Sequence, residues 1–275
     1  MKTPMLRYVL SAFCLLAAQL PGQQSAQAPA APVYTQSLTY LKVAPNKNNE
    51  FLRLIRDESM KVAQVRVDAG EYLIWTLLRS VFPGGAEARA DYVISVISEG
   101  RPRASGGSSA LEANLKKAGI TMSADEYWAR RDGVVSRVAS ELWRVRELVA
   151  GAKKGHYVYL NFMKVPDAAA YNDFEAKVWR PMAEGWVKDG SMSGWLFATK
   201  ILPSGSDTVY SAYSADIFPT WDAAFAGDAN RMQRMFEKVH PGKSYQELTA
   251  NMAKLRSLAK RELWTVVERV EKSGR

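Results

Sequence analysis

Histidine and cysteine are scarce in this chain of 275 residues, which has two histidines, His156 and His240, and one cysteine, Cys14. That scarcity excludes a zinc or iron site built mainly from histidine, while a mixed site with carboxylates stays chemically open. Asp216, Asp222 and Asp228 are spaced too loosely to supply one. There is no G-x-S-x-G, H-E-x-x-H, Walker loop or Rossmann glycine fingerprint. The stretch "SGGSS" (105–109), with "GRPR" before it, reads as a flexible loop because no strand-to-helix pattern surrounds it.

His240 is the more informative histidine. It stands in "KVHPGKSYQE", just ahead of a helix start. A neutral imidazole there could donate to or accept from a ligand, and a helix N-terminus favours an anionic group nearby. Lys243 would add a positive charge to the same entrance. The competing reading is a plain loop histidine before a helix cap. Tyr157, Tyr159, Phe162, Trp195, Phe197, Tyr210 and Tyr213 cluster on nearby strand segments. They read either as ordinary core or, in part, as the lining of an apolar pocket.

These residues need a frame, and the bulk sequence provides for one. Hydrophobic residues make up 47% and charged residues 24%, the balance of a globular chain. Residues 1–28 stand apart. Lys2 and Arg7 precede the apolar run "YVLSAFCLLAAQL", and Ala26-Gln27-Ala28 offers a small-x-small cleavage site, so the segment reads as a signal peptide. The expected product is exported, periplasmic or extracellular. It would carry no cysteine and hence no disulfide, and no integral membrane segment. Without Lys2 and Arg7, 35 basic residues face 28 acidic ones, a net charge of +7. The basic residues are dispersed in short pairs such as Arg130-Arg131, which argues against a nucleic-acid partner.

A long internal repeat organises the remainder. "ASELWRVRELV" is answered by "KRELWTVVERV" about 121 residues later, and "LTYLKV" (38–43) by "LNFMKV" (160–165). Gly70 and Trp75 match Gly190 and Trp195, and "VFPGG" matches "ILPSG". Such a period reads as a duplicated domain rather than a solenoid. Each copy has six pieces. The first offers a strand at 34–43, a helix at 48–66, strands at 72–82 and 91–97, a helix at 123–140 and a closing strand from Glu141. The second repeats this with a strand at 156–165, a helix at 168–188, a hairpin over 194–217, a helix at 244–260 and a strand at 262–270. Ser123-x-x-Glu126 and Ser244-x-x-Glu247 read as capping boxes.

The order β-α-β-β-α-β describes a ferredoxin-like unit, whose helices cover one sheet face and leave the other needing a partner. The expected fold is α+β, with two tandem ferredoxin-like repeats forming one intrachain barrel. Its divisions are a signal peptide (1–28), a linker (29–34), repeat 1 (35–150), a linker (151–155) and repeat 2 (156–275). Either Trp143 or Leu142, with Trp264 or Leu263, would fill the shared core. The oligomeric state beyond this internal pairing stays open.

The element order and duplication resemble the dimeric α/β-barrel superfamily, which includes antibiotic-biosynthesis monooxygenases, haem-degrading monooxygenases, EthD-like and NIPSNAP-like proteins. In its haem-degrading members an Asn on the first strand, a Trp near the third and a His on the second helix line one pocket. Asn161, Trp221 and His240 occur here in that chain order, with Thr39 and Gly119 facing Asn161 and His240 in the other copy. The expected site is therefore a pocket of the second repeat near His240, Asn161, Trp221 and Lys243. It would bind a small apolar or aromatic molecule. The alternative implied by the resemblance is a cofactor-free or haem-directed monooxygenase-like enzyme.

Overall fold

The computed structural model describes residues 32–85, 88–101, 107–227 and 230–272. The expected signal peptide, the first half of the first linker, Asp228 and the start of the glycine-serine stretch lie outside these residues. Eight antiparallel strands close into a barrel: β1 (Tyr34–Val43), β2 (Ile74–Phe82), β3 (Tyr92–Glu99), β4 (Val135–Ala150), β5 (Tyr157–Lys164), β6 (Gly194–Leu202), β7 (Ala212–Phe218) and β8 (Ser257–Glu271). Around the barrel their order is β1-β3-β2-β8-β5-β7-β6-β4. Each half thus forms a four-stranded sheet, β4-β1-β3-β2 or β8-β5-β7-β6. The long last strand of each half pairs across a seam with the other half, β4 with β6 and β8 with β2. Closure leaves no free sheet edge.

Strand alternation sends successive side chains to opposite faces. Inward positions build the barrel interior from Leu38, Leu78, Val93, Leu160, Phe162, Leu196, Tyr213 and both tryptophans of the ELW stretches, Trp143 and Trp264. Trp143 meets Tyr213 edge-on at 4.7 Å. Truncating so large a buried ring costs about 3–5 kcal/mol. Glu141, two residues before Trp143, also points inward. It accepts hydrogen bonds from Tyr40 (3.0 Å), Tyr210 (2.6 Å) and Lys200 (3.2 Å), so one buried carboxylate ties the two halves together.

Outward positions meet helices. In the first half α1 (Asn48–Leu54) runs through a π turn (Ile55–Ser59) into α2 (Met60–Asp68), and α3 (Gly107–Lys117) and α4 (Ala124–Ala129) follow. In the second half α5 (Ala168–Phe174) runs through a π turn (Glu175–Trp179) into α6 (Arg180–Lys188). Then come α7 (Trp221–Phe225), α8 (Arg231–Val239) and α9 (Tyr245–Leu255). Among the described residues no helix is long and apolar enough to cross a membrane.

Two expected helices are shorter than their sequence pattern. The one expected over 123–140 ends at Ala129. Gly133 takes a left-handed conformation (φ +71°), and Val135 already pairs with Val43. The one expected over 244–260 ends at Leu255, where Arg256 is extended and Ser257 pairs with Lys164. In both places ladder pairing with the neighbouring strand overrides local helix preference. Helices α3 and α8 arise where no element was expected, and Gly107 to Ser109 of the expected loop open α3. The capping boxes also differ. Ser123 and Glu126 make both reciprocal bonds, whereas Ser244 accepts from the Glu247 amide without the return bond.

Candidate functional site

The second half encloses a cavity of about 350 Å³ between the outer face of β5, β7 and β8 and the covering helices. Strand pairing assembles its polar floor. On β5, Tyr159, Asn161 and Met163 face outward. Asn161 lies opposite Ser214 of β7 on one side and Arg261 of β8 on the other. Arg261 Nε donates to Asn161 Oδ1 at 2.6 Å. Asn161 Nδ2 donates to Asp216 Oδ2 at 2.8 Å and to Ser214 Oγ at 3.2 Å. The amide is thereby oriented, with a cation on one side and a carboxylate on the other. Tyr171, Glu175, Trp179 and Trp186 come down from α5, the π turn and α6, and Arg231 and Met232 from α8. Arg256, just after α9, completes the wall.

Several of these groups are incompletely satisfied. Glu175 Oε2, Asp216 Oδ1 and Arg256 Nε are buried and have no hydrogen-bond partner among the described residues. Glu175 is only 3% exposed. Burial pushes its carboxyl up to about 7; Tyr171 and Arg256 oppose that shift and Asp216 adds to it. The Asp216 carboxyl is also raised by burial, against the pull of Asn161, Arg261, Arg256 and Arg231. Tyr171 is held well above the usual phenol range by burial and by Glu175.

The first half has no such set. Register equates Thr39 and Ser140 with Asn161 and Arg261, since each pair faces across the equivalent ladder. Ile94 and Val96 stand where Ser214 and Asp216 stand. Ile55 opens the π turn that Glu175 opens in the second half.

The four residues expected from sequence fall in different places. Asn161 is buried at the centre of the cavity floor. His240 ends α8. Its ring packs 5.0 Å from Phe236, its Nε2 lies 3.0 Å from the Val178 carbonyl oxygen, and it does not line the cavity. Lys243 is exposed in the following turn. Trp221 opens α7, is 41% exposed and contacts Phe82, Tyr157 and Phe225. So the structure brings Asn161 into the cavity and leaves the other three outside its lining. Glu175, Arg256 and Arg261 were not singled out from sequence, and Asp216 was weighed only as a metal ligand and set aside. The signal that could have found them is the exchange of an apolar residue for a charged one between corresponding positions, Ile55 for Glu175 and Val96 for Asp216. Among the described residues no group of three or more His, Cys, Asp and Glu side chains could hold a metal ion.

No protein-family model matches the sequence, and no curated protein matches it. Solved structures do match its fold. A protein of Fusobacterium nucleatum subsp. nucleatum, provisionally assigned as a monooxygenase, superposes with a TM-score of 0.54 at 11% identity, over 89% of this chain and 97% of its own. A provisionally assigned monooxygenase from Lactobacillus acidophilus gives 0.48 at 14% identity, over 86% and 93%. A haem-binding protein from Thermus thermophilus gives 0.43 at 12% identity, over 86% and 92%. At such identities the likeness concerns fold alone: this chain is a ferredoxin-like α/β barrel.

Proposed function

We propose that the second-half cavity binds a small aromatic molecule carrying a hydroxyl, carbonyl or carboxylate group. The observation behind this reading is the trio of unpartnered polar atoms, Glu175 Oε2, Asp216 Oδ1 and Arg256 Nε, on residues that line one cavity whose walls also include Tyr159, Trp179, Trp186, Phe218 and methionines beside the Asn161–Arg261 floor. Each buried group left without a partner costs about 1–3 kcal/mol. Trp143 Nε1, Asn172 Oδ1, Trp195 Nε1 and Arg269 Nε are also buried without a partner, but none of those four residues lines this cavity; three on residues that line one cavity are what a ligand meeting them would satisfy. Trp179 and Trp186 supply the probe. Titration with 1-naphthol and 2-naphthoate should quench tryptophan fluorescence saturably, and Asn161→Leu should weaken the affinity at least tenfold by dismantling the floor. No saturable response to either compound sinks the reading.

Haem does not fit this lining. Neither histidine nor cysteine faces the cavity, and Tyr171 is engaged with Met163 Sδ at 2.7 Å. A monooxygenase-like activity without a cofactor retains one support, the Glu175 carboxyl poised near neutrality beside aromatic walls. Oxygen consumption in the presence of 1-naphthol tests it.

We further infer that the chain is exported after cleavage near Ala28, so N-terminal sequencing of the mature protein should start at Pro29. The equivalent strand orders and the π turn shared by α1–α2 and α5–α6 support reading residues 35–150 and 156–275 as duplicated repeats. Each repeat would expose one apolar sheet face if separated, so residues 35–150 alone should not melt cooperatively as a monomer.

A further inference from the structure

The three unpartnered atoms differ in kind. Arg256 Nε–H is a donor, while Glu175 Oε2 and Asp216 Oδ1 accept when ionised. The Arg256 guanidinium has one other contact, from Nη2 to Met252 Sδ at 3.2 Å. Among the described residues Glu175 makes no salt bridge, unlike the other buried glutamates Glu58, Glu141, Glu262 and Glu268. Arg256 and Glu175, each with a buried polar atom left without a partner, thus line one cavity together with aromatic side chains. That pairing suits a ligand whose oxygen gains negative charge while a neighbouring atom gives up a proton.

We propose that Glu175 is the proton acceptor, and Arg256 the oxyanion donor, for enolisation of a small aryl ketone held in this cavity. The inference rests on the reading of the cavity as a ligand site. In the step, the Glu175 carboxylate takes the proton from the carbon beside the carbonyl. The C–H electron pair forms the carbon–carbon double bond, and the carbonyl π pair moves onto oxygen. Arg256 Nε–H donates to that oxygen. Return of the proton to oxygen gives the enol, and its return to carbon regenerates the ketone, so no oxidant or reductant is consumed. Asn161 and Arg261 are positioning residues. Held by Arg261, the Asn161 amide bonds Asp216 Oδ2, which leaves Oδ1 as the unpartnered acceptor for a ring hydroxyl.

The probe is 2-tetralone in heavy water, with deuterium uptake at its activated carbon followed by proton NMR. The full chain should accelerate exchange about 10²–10⁴-fold over buffer. Its rate should rise with pH as Glu175 ionises and level off above about 7. Glu175→Gln should abolish the acceleration and its pH dependence while tryptophan quenching by 2-tetralone persists. Arg256→Met should slow exchange about 10²-fold or more. Thermal melting verifies that both variants are folded. Exchange at the wild-type rate in Glu175→Gln overturns the proposal, and so does binding without acceleration in the unmodified chain. If 1-naphthol binds and 2-tetralone does not, the enolisation proposal falls and the ligand site stands. If neither binds, both fall.

Discussion

Glu58 and Glu175 sit on the π turns of corresponding helices, both buried and both against the outer face of the barrel. Their surroundings are opposite. Glu58 is closed off by Arg130 (3.0 Å) and Arg131 (2.9 Å), and Arg131 is itself fixed by the Tyr127 carbonyl and lies over the Tyr127 ring. Among the described residues Glu175 makes no ion pair, is influenced by Tyr171 and more distantly by Arg256, and lines a cavity. The corresponding positions are reversed in type, since Val178 stands where Glu58 stands and Ile55 where Glu175 stands. One half uses its carboxylate as a structural tie. The other buries its carboxyl beside a cavity without an ion pair among the described residues.

The comparison is tested first where the effect is largest. Glu58→Gln removes the counter-charge of Arg131, which is only 11% exposed, and breaking such a buried pair costs about 3–5 kcal/mol. Urea denaturation measures it. A loss below about 1 kcal/mol would show that the pair behaves like a screened surface contact. Glu175→Gln should act with the opposite sign. The folded carboxyl titrates at about 7 against an ordinary 4.5, so between those values the folded state holds a proton that the unfolded state has lost. Stability therefore falls as pH rises through that window. The penalty reaches about 3 kcal/mol at pH 8 and is absent below about pH 4. The glutamine variant should be the more stable protein at pH 8 and indistinguishable near pH 4. A variant less stable at pH 8 would mean that the carboxylate is paired in solution.

A third substitution perturbs the cavity wall and leaves its charges alone. Gly185 of α6 lies where an added Cβ would run into Met235 Sδ of α8, and Arg231 and Met232 of the same helix line the cavity. Alanine gains up to about 1 kcal/mol in helix propensity, and overpacking costs about 1–3 kcal/mol. Gly185→Ala should lose about 1 kcal/mol net and weaken 1-naphthol binding. The first half has Val65 at the matching position, so the close approach belongs to the half that holds the cavity.

Sequence periodicity reveals the barrel frame because each strand alternates and each first helix carries its apolar stripe. Comparison of the two copies, together with the resemblance to haem-degrading barrels, selects Asn161, which faces Thr39 in the other copy. The rest of the site is hidden for physical reasons. Glu175 lies in "NDFEAKVW", a run that reads as an ordinary amphipathic helix. The π turn adds a residue to the helical turn, changing which face a side chain presents. Asp216 and Arg261 reach Asn161 only through β5–β7 and β5–β8 pairing, across 55 and 100 positions, and Arg256 stands just before β8. His240 drew attention as a rare residue type beside a helix start, but it ends α8 with its ring against Phe236 and the Val178 carbonyl and does not line the cavity. The α8 stripe of Met232, Met235, Phe236 and Val239 is regular enough to be read from sequence alone.

The smallest expected effect probes the frame both halves share. Ser123 Oγ accepts from the Glu126 amide at 3.1 Å, and Glu126 Oε2 accepts from the Ser123 amide at 2.8 Å. Ser244 Oγ accepts from the Glu247 amide at 3.2 Å. Either serine to alanine should therefore cost about 1 kcal/mol, the usual worth of an N-cap. The glutamates should separate the halves. Glu126→Ala removes a second bond and should cost about 0.5–1 kcal/mol more than Glu247→Ala, which removes none at the cap. Thermal unfolding of the four single variants measures these differences. Equal costs for the two glutamates would mean that the return bond also forms at Ser244 in solution. The halves would then be alike at their helix caps, and their difference would be confined to the buried carboxylates and the cavity they face.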